Sequence, residues 1–523
     1  MKKYIFITPD IHMIGGAQNY LRTKISYLIA HDWSVYCLFP GERGGACEYP
    51  ELEGYTDGGI PLLRVFPDLL YPTPMFLYVI QRMLETVNYS EDVEAEYLIE
   101  SNTGEGALWG ELLAKLLNTK HFVYTLSERF CFAQYKDYID FFYWKFLRRE
   151  LIGISKHSMS LLFDGYADSE SFHRFYLPAA IRPNVYECSS EKISLIKEAD
   201  WNIAYLGRCE KTYFRHIIND VKRFSDQYAD KKTQFIIAGN PDVDTKNKLQ
   251  EIESQNLIVI IVGFFSEIPR ELFSKFDVVI AGSGCAAIAA SEGIPTIVAD
   301  AIAGSAMGIY GIHTKDIFYS FDRHYTYKEL LKSILIDRCI DSVKDVTRYV
   351  FQNTDTLCDE YFRFVKESEQ RKNYYPFLRR YGLVKKMYNL WDYLRDCMEE
   401  IRVNQSFKKI CIKKICCNSH HVAMYGFGRC GRMFLDVLKS NTFFMDVIEK
   451  EEKCVDAVYV QAISSFQLKA YQWIVIATTY EQEKIKESLM EHGFRGEIIY
   501  IQDFLNDCME VYYDGKNKNR VLL

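Results

Sequence analysis

Apolar residues in this chain gather in short unbroken runs, separated by stretches whose apolar positions recur at helical spacing. The first set of runs is Tyr4–Thr8, Ser34–Phe39, Tyr97–Glu100, His121–Thr125 and Leu151–Ser155. None alternates strictly between apolar and polar, as expected of parallel strands covered on both faces. Between them, Leu21, Ile25 and Leu28 keep a helical period, and Ala107–Leu117 reads as another helix. A second series runs Asn202–Leu206, Gln234–Ala238, Ile258–Val262, Asp277–Ala281 and Thr296–Ala299, with Ile217, Ile218, Val221 and Phe224 marking an intervening helix. A third opens at Val422–Tyr425 and continues through Trp473–Ala477 to Glu497–Ile501. Strand and helix in alternation predict α/β domains with doubly wound parallel sheets.

The expected layout is two doubly wound Rossmann-like domains, residues 1–183 and 184–325, facing one another across a cleft. A helical return over 326–407 and a third, small Rossmann-like module over 408–523 complete it. The Gly- and Pro-rich residues 41–75 are expected to form long surface loops, and Lys408–Cys417 a basic linker without a core-facing pattern. Tyr388, Leu390, Trp391, Tyr393 and Leu394 predict an amphipathic helix packing back on the earlier domains. Tyr138–Arg149, YIDFFYWKFLRR, is read as a core helix with a solvated basic end; the other reading is a helix lying on an anionic membrane surface.

Length fits several domains: 523 residues exceed one hydrophobic core. A net charge of −7 argues against a partner held through nucleic-acid phosphates. The 15 cysteines show no CxxC pair or zinc-like spacing, so they are read as thiols in a reducing cytosol, with no metal expected. The start, MKKYIFITPD, is too short for a signal peptide, and no stretch approaches the roughly twenty apolar residues of a membrane span. The expected location is cytoplasmic, with peripheral contact to the inner face of the plasma membrane left open.

Three glycine-marked junctions carry the candidate chemistry. Gly282, Ser283 and Gly284 follow the strand Asp277–Ala281 and open a helix, so backbone N–H groups and the helix dipole there can receive phosphate. Gly15 and Gly16 stand where the first strand gives way to helix and can admit a ligand close to the backbone, or simply make a tight turn. Gly426, Gly428 and Gly431 have the GxGxxG spacing between strand and helix, which suits either a nucleotide or a docking role for the last module.

The first 320 residues resemble bacterial glycosyltransferases of the GT-B architecture, family 4 in particular. The resemblance rests on IGGAQNYL (14–21), LIGISKHSMSLL (151–162), YLGRCEK (205–211), FIIAGNPD (235–242), VIIVGFFSEIPRELFSKFDVVIAGSG (259–284) and SEGIPTIVAD (291–300), in order over two domains. It implies transfer of a sugar from a nucleotide-sugar donor to a surface polysaccharide or lipid-linked glycan. It implies that Arg208 faces the diphosphate, with Lys211 as a shifted substitute for the family's lysine, and that Gly239, Asn240 and the turn Gly282–Cys285 hold the nucleotide. Three features depart from the family, the first being that its usual lysine after the Gly-Arg turn would fall near Tyr213. Its pair of donor-loop glutamates is replaced by Ile288 and by Ile280 or Ala281, and the usual histidine is absent from VYTLSERF. His12, and Glu128 with Arg129 close by, are the nearest groups to serve as acid or base. A catalytically silent GT-B protein that binds nucleotide or glycan and supports a partner enzyme is the competing expectation.

Overall fold

The computed structural model describes residues 1–70, 74–90, 95–126, 135–155, 158–163, 176–188, 190–265, 267–318, 323–340, 347–368, 374–375, 390–403, 405–416, 422–438, 446–449, 453–455, 458–464, 467–478, 480–505 and 507–508. By internal contacts the chain divides into two compact units. One comprises Met1–His12, Asp32–Val123 and Gln370–Leu523; the other comprises Met13–His31 and Tyr124–Glu369. The α/β class expected from the sequence is the one the chain adopts, with parallel sheets in both units.

In the first unit, β1 (Lys2–Ile7), β2 (Trp33–Leu38), β3 (Glu96–Ser101) and β4 (Lys120–Thr125) lie in the order β2-β1-β3-β4. Their pairings are parallel, with Ile5 opposite Tyr36 on one side and Ile99 on the other. The order reverses between β1 and β3, so their carboxyl ends flank a switch point, the usual place for a ligand in such a sheet. Short strands β5 (Leu151–Gly153) and β6 (Val185–Tyr186) belong to the second unit, β6 pairing with β10 (Ile268–Pro269).

The second unit's main sheet runs β13-β12-β11-β7-β8-β9. Its members are β7 (Trp201–Leu206), β8 (Thr233–Ala238), β9 (Leu257–Ile261), β11 (Val278–Ala281), β12 (Thr296–Ala299) and β13 (Ala306–Ile309). Only β13, at the edge, is antiparallel. The continuous apolar runs have a simple cause: alternate residues feed two separate cores. Ile203 and Tyr205 pack with Phe214, Ile217 and Val221 of the helix Thr212–Gln227 on one face. Ala204 and Leu206 pack with Leu272, Phe273 and Ala289 on the other. The switch point here lies between β7 and β11.

The last sheet, in the first unit, has the order β16-β17-β15-β14-β18-β19. It contains β14 (Val422–Tyr425), β15 (Asp446–Glu449), β16 (Lys453–Val455), β17 (Val458–Ala462), β18 (Trp473–Ile476) and β19 (Glu497–Tyr500), with only β16 antiparallel. Its order reverses between β14 and β18.

Three expectations are corrected. Much of the region expected as surface loops over 41–75 is compact: turns of 3₁₀ helix at Pro50–Gly58 and Pro61–Arg64 bury Leu52, Leu62 and Leu63, and Trp109 donates its indole N–H to Val65 O at 2.7 Å. Proline at the first helical position starts both turns at no cost in hydrogen bonds, which composition alone does not reveal. The expected basic linker is a helix, Gln405–Cys416, whose Phe407, Cys411 and Ile415 recur every four residues and are buried. Its lysines occupy other faces and mask that stripe. It packs on the helix Arg429–Leu438, as does Leu390–Val403, which buries Leu394, Cys397, Met398 and Ile401. Finally, the helix Ile139–Leu147 is a core helix, but its basic end is solvated only at Arg149, which is exposed. Lys145 and Arg148 are buried and converge on the buried Glu150 at 2.9 Å each.

Candidate functional site

The second unit brings Arg208, Lys211 and the Gly282–Cys285 turn to its switch point. β11 is buried throughout and delivers the chain to Gly282, where an added Cβ would stand 3.0 Å from the Tyr213 hydroxyl and 3.2 Å from Ala299 O. Ser283 then takes a left-handed φ of 53°, a conformation costly for a residue with a side chain. Its N–H donates to Ile317 O at 2.7 Å, so this one amide is not available to a ligand. Gly284 is different. A Cβ there would find nothing nearer than Ile181 Cδ1 at 3.9 Å, leaving the backbone open to approach. The helix Ser283–Ser291 has no side-chain cap at its start. Its first turn therefore presents the positive end of the dipole.

The cations lie at the same helix start. Burial pushes the Cys285 thiol up to about 11, and the charges of Arg208 and Lys211 pull against that rise. Arg208 leaves β7 through Gly207, whose φ is 148°, and its carbonyl accepts the Tyr205 hydroxyl at 2.7 Å. Its guanidinium is more than half exposed and pairs with Glu210 at 3.3 Å. Gly239 ends β8 against this turn: a Cβ would fall 2.2 Å from Gly207 O, so only glycine fits. Asn240 Oδ1 accepts the Phe264 N–H at 3.2 Å and ties the end of β8 to the segment after β9.

Gly15 and Gly16 behave differently from each other. Gly15 is extended, and a Cβ there would meet only the movable end of Gln18, whereas Gly16 has open space around it. The helix Gly16–Ala30 also lacks a side-chain cap, and Asn19 donates its amide to Arg182 O at 2.8 Å.

The first unit's switch point holds His12. Its Nδ1 lies 3.0 Å from Asp10 Oδ1 and its Nε2 2.9 Å from Gly44 O, so both ring nitrogens are occupied. Glu128 lies outside the described residues. One carboxylate at this edge escaped the sequence reading. Glu105 sits in the first turn of the helix Gly104–Leu117, just beyond β3, and burial raises its carboxyl above the ordinary 4.5. Gly106 beside it presses on the end of β1, where a Cβ would come within 2.9 Å of Ile7 Cγ2. The signal that could have found it is a glutamate between two glycines directly after a buried strand, NTGEG.

In the last module the three glycines do three different things. Gly426 has a φ of 101°; Gly431 fits only as glycine, since a Cβ would fall 2.0 Å from Gly426 O; and Gly428 faces open space. Glu449, at the end of β15, accepts the Phe427 N–H at 2.6 Å and puts a carboxylate beside this turn.

The residues at the positions of the resembled family's glutamates are buried and apolar: Ile280 and Ala281 are fully buried and Ile288 is 6% exposed. Among the described residues no group of three His, Cys, Asp or Glu side chains could hold a metal ion. No helix among them is long and apolar enough to cross a membrane.

No protein-family profile matches the chain, and no curated protein is significantly similar in sequence. Solved structures do align with it. A glycosyltransferase from Rickettsia africae ESF-5 aligns at TM-score 0.46 and 13% identity, over 70% of this chain and 100% of its own. S. aureus MnaA, in a co-structure with UDP, aligns at 0.41 and 13%, over 71% and 99%. The UDP-GlcNAc 2-epimerase of Neisseria meningitidis, bound to UDP-GlcNAc, aligns at 0.39 and 10%, over 69% and 100%. Likeness at this level assigns neither a family nor an activity.

Proposed function

We propose that the chain is a nucleotide-sugar-dependent glycosyltransferase of GT-B type. The observation that carries this reading is the junction after β11, an open, glycine-lined, uncapped helix start with Arg208 and Lys211 close to its Cys285. A diphosphate suits this place because dipole, backbone amides and two cations add their fields there. In transfer, the acceptor hydroxyl attacks the anomeric carbon while the bond to the diphosphate breaks, negative charge grows on the leaving oxygen, and the hydroxyl proton passes to the departing diphosphate or to solvent. Arg208 and Lys211 are placed to offset that charge. The acceptor class, a surface polysaccharide or lipid-linked glycan, rests on the resemblance to family 4. Peripheral membrane contact draws little support from the helix Ile139–Leu147, because Lys145 and Arg148 are buried against Glu150 and Arg149 is the one exposed cation of its basic end.

One observation favours a second reading. Ile280, Ala281 and Ile288 supply no carboxylate where the resembled family has two, which suits a nucleotide-binding protein that supports a partner enzyme. Turnover separates the two. Incubating the full chain with a panel of nucleotide sugars and glycan acceptors, and measuring released nucleoside diphosphate, should give turnover that Arg208→Ala lowers. Saturable binding without turnover on any donor would select the second reading.

For the last module we infer a nucleotide at the β14–β18 switch point, with the phosphate over Gly428. Support comes from the division of labour among its glycines, one shaping the turn, one packing the helix and one left open. Gly428→Val should abolish that binding without unfolding the module; Gly431→Val should unfold it. Retained nucleotide affinity in a folded Gly428→Val chain would leave docking as the module's role.

A further inference from the structure

The outer face of the helix Thr212–Gln227 carries a feature unrelated to the phosphate turn. Its inner face is apolar, and the opposite stripe places His216, Asn219, Asp220 and Arg223 at helical spacing. These residues, with Ser305 and Tyr325, line a cavity of about 250 Å³. Its walls are fixed by hydrogen bonds between distant segments. Tyr327 N–H donates to Asp220 Oδ2 at 3.0 Å, and Ala306 and Tyr325 exchange backbone bonds at 3.0 and 2.9 Å. Thr326 and Glu329 cap the next helix reciprocally, and the Tyr327 hydroxyl donates to Gly304 O at 3.2 Å. Within this rigid frame, the His216 ring, the Asn219 amide and the Ser305 and Tyr325 hydroxyls have no side-chain hydrogen-bond partner among the described residues.

His216, Asn219 and Arg223 are exposed, so these groups face solvent rather than one another, and polar side chains that converge on a depression in this way can exchange water for a ligand's hydroxyls. We propose that this cavity binds one neutral sugar ring. Charge selects the class. The single guanidinium, Arg223, lies 3.7 Å from the Asp220 carboxylate, so cation and anion balance and neither a phosphate nor an ammonium is favoured. The remaining groups mix donors and acceptors, as a ring of hydroxyls requires. Size points the same way, because the cavity falls below the roughly 300–1,000 Å³ of a site for a drug-sized ligand and takes one ring rather than a chain. The site does not depend on the nucleotide reading.

The test uses the full chain and saturation-transfer NMR with glucose, galactose, mannose and N-acetylglucosamine, each in turn, and with inorganic phosphate as the anionic comparison. At least one sugar should bind. The double variant Asn219→Ala/Arg223→Ala should weaken it about tenfold or more, as expected for two lost hydrogen bonds. Tyr325→Phe, which removes only a hydroxyl and keeps the packing, should weaken it less. Excess UDP should leave the signal in place. Absence of any sugar signal overturns the proposal, as does undiminished binding in the double variant in a chain of unchanged melting temperature. Binding of phosphate in preference to every sugar overturns the ligand class.

Discussion

At the scale of single residues, three positions make distinct predictions. Arg208→Ala should cost about 3 kcal/mol of barrier, the usual loss for one charge-stabilising donor, with a smaller change in acceptor affinity. Turnover within a few-fold of the parent would take Arg208 out of the site. Glu105 predicts a pH effect of stated sign. Burial raises its carboxyl in the folded chain, so from the ordinary 4.5 upward the folded state holds more proton than the unfolded state, and stability falls as pH rises through that window. Glu105→Gln should therefore flatten the decline in melting temperature between acid and neutral pH. An identical slope in the variant would mean the carboxyl is solvated. Glu150 is the third. Replaced by glutamine, it leaves Lys145 and Arg148 buried without their anion, and about 3 kcal/mol or more of stability should be lost in urea unfolding. The sequence displayed the cations of this group but not their partner's burial. A basic helix end looks the same whether water or a carboxylate receives it.

At the scale of elements, the strands were legible wherever they are buried on both faces, because such runs have no other ready reading. β11 and the turn after it are the clearest case. Glycine roles were legible only as positions: nothing in the letters distinguishes Gly284, open to a ligand, from Gly239, wedged against Gly207. The helix Gln405–Cys416 was missed because its buried apolar stripe is one residue wide in a lysine-rich segment. That stripe predicts a consequence. Ile415→Ala should destabilise the chain by about 2–4 kcal/mol, as for other buried large-to-small changes. A chain ending at residue 404 should aggregate, because Leu390–Val403 would lose the helices that cover it. A monodisperse truncated chain on size exclusion would show that the last module is dispensable to the rest.

At the scale of the whole molecule, three mainly parallel sheets each bring a different set of residues to a switch point. Beside β1 and β3 stand His12 and Glu105; beside β7 and β11, Arg208 and the Gly282–Cys285 turn; beside β14 and β18, the glycines of the last module. The order of strands within each sheet could not be read from the chain, since adjacency is set by pairing across distant segments. Once that order is known, the residues that looked scattered in sequence fall at the places where open α/β sheets receive ligands. The central claim is that the second of these points holds a nucleoside diphosphate. Isothermal titration of the full chain with UDP, GDP and ADP, compared with Gly284→Val, tests it most directly. Saturable binding of at least one nucleotide that vanishes in Gly284→Val at an unchanged melting temperature is the predicted result. Equal affinity in the folded variant, or no binding of any of the three by the parent chain, would contradict it.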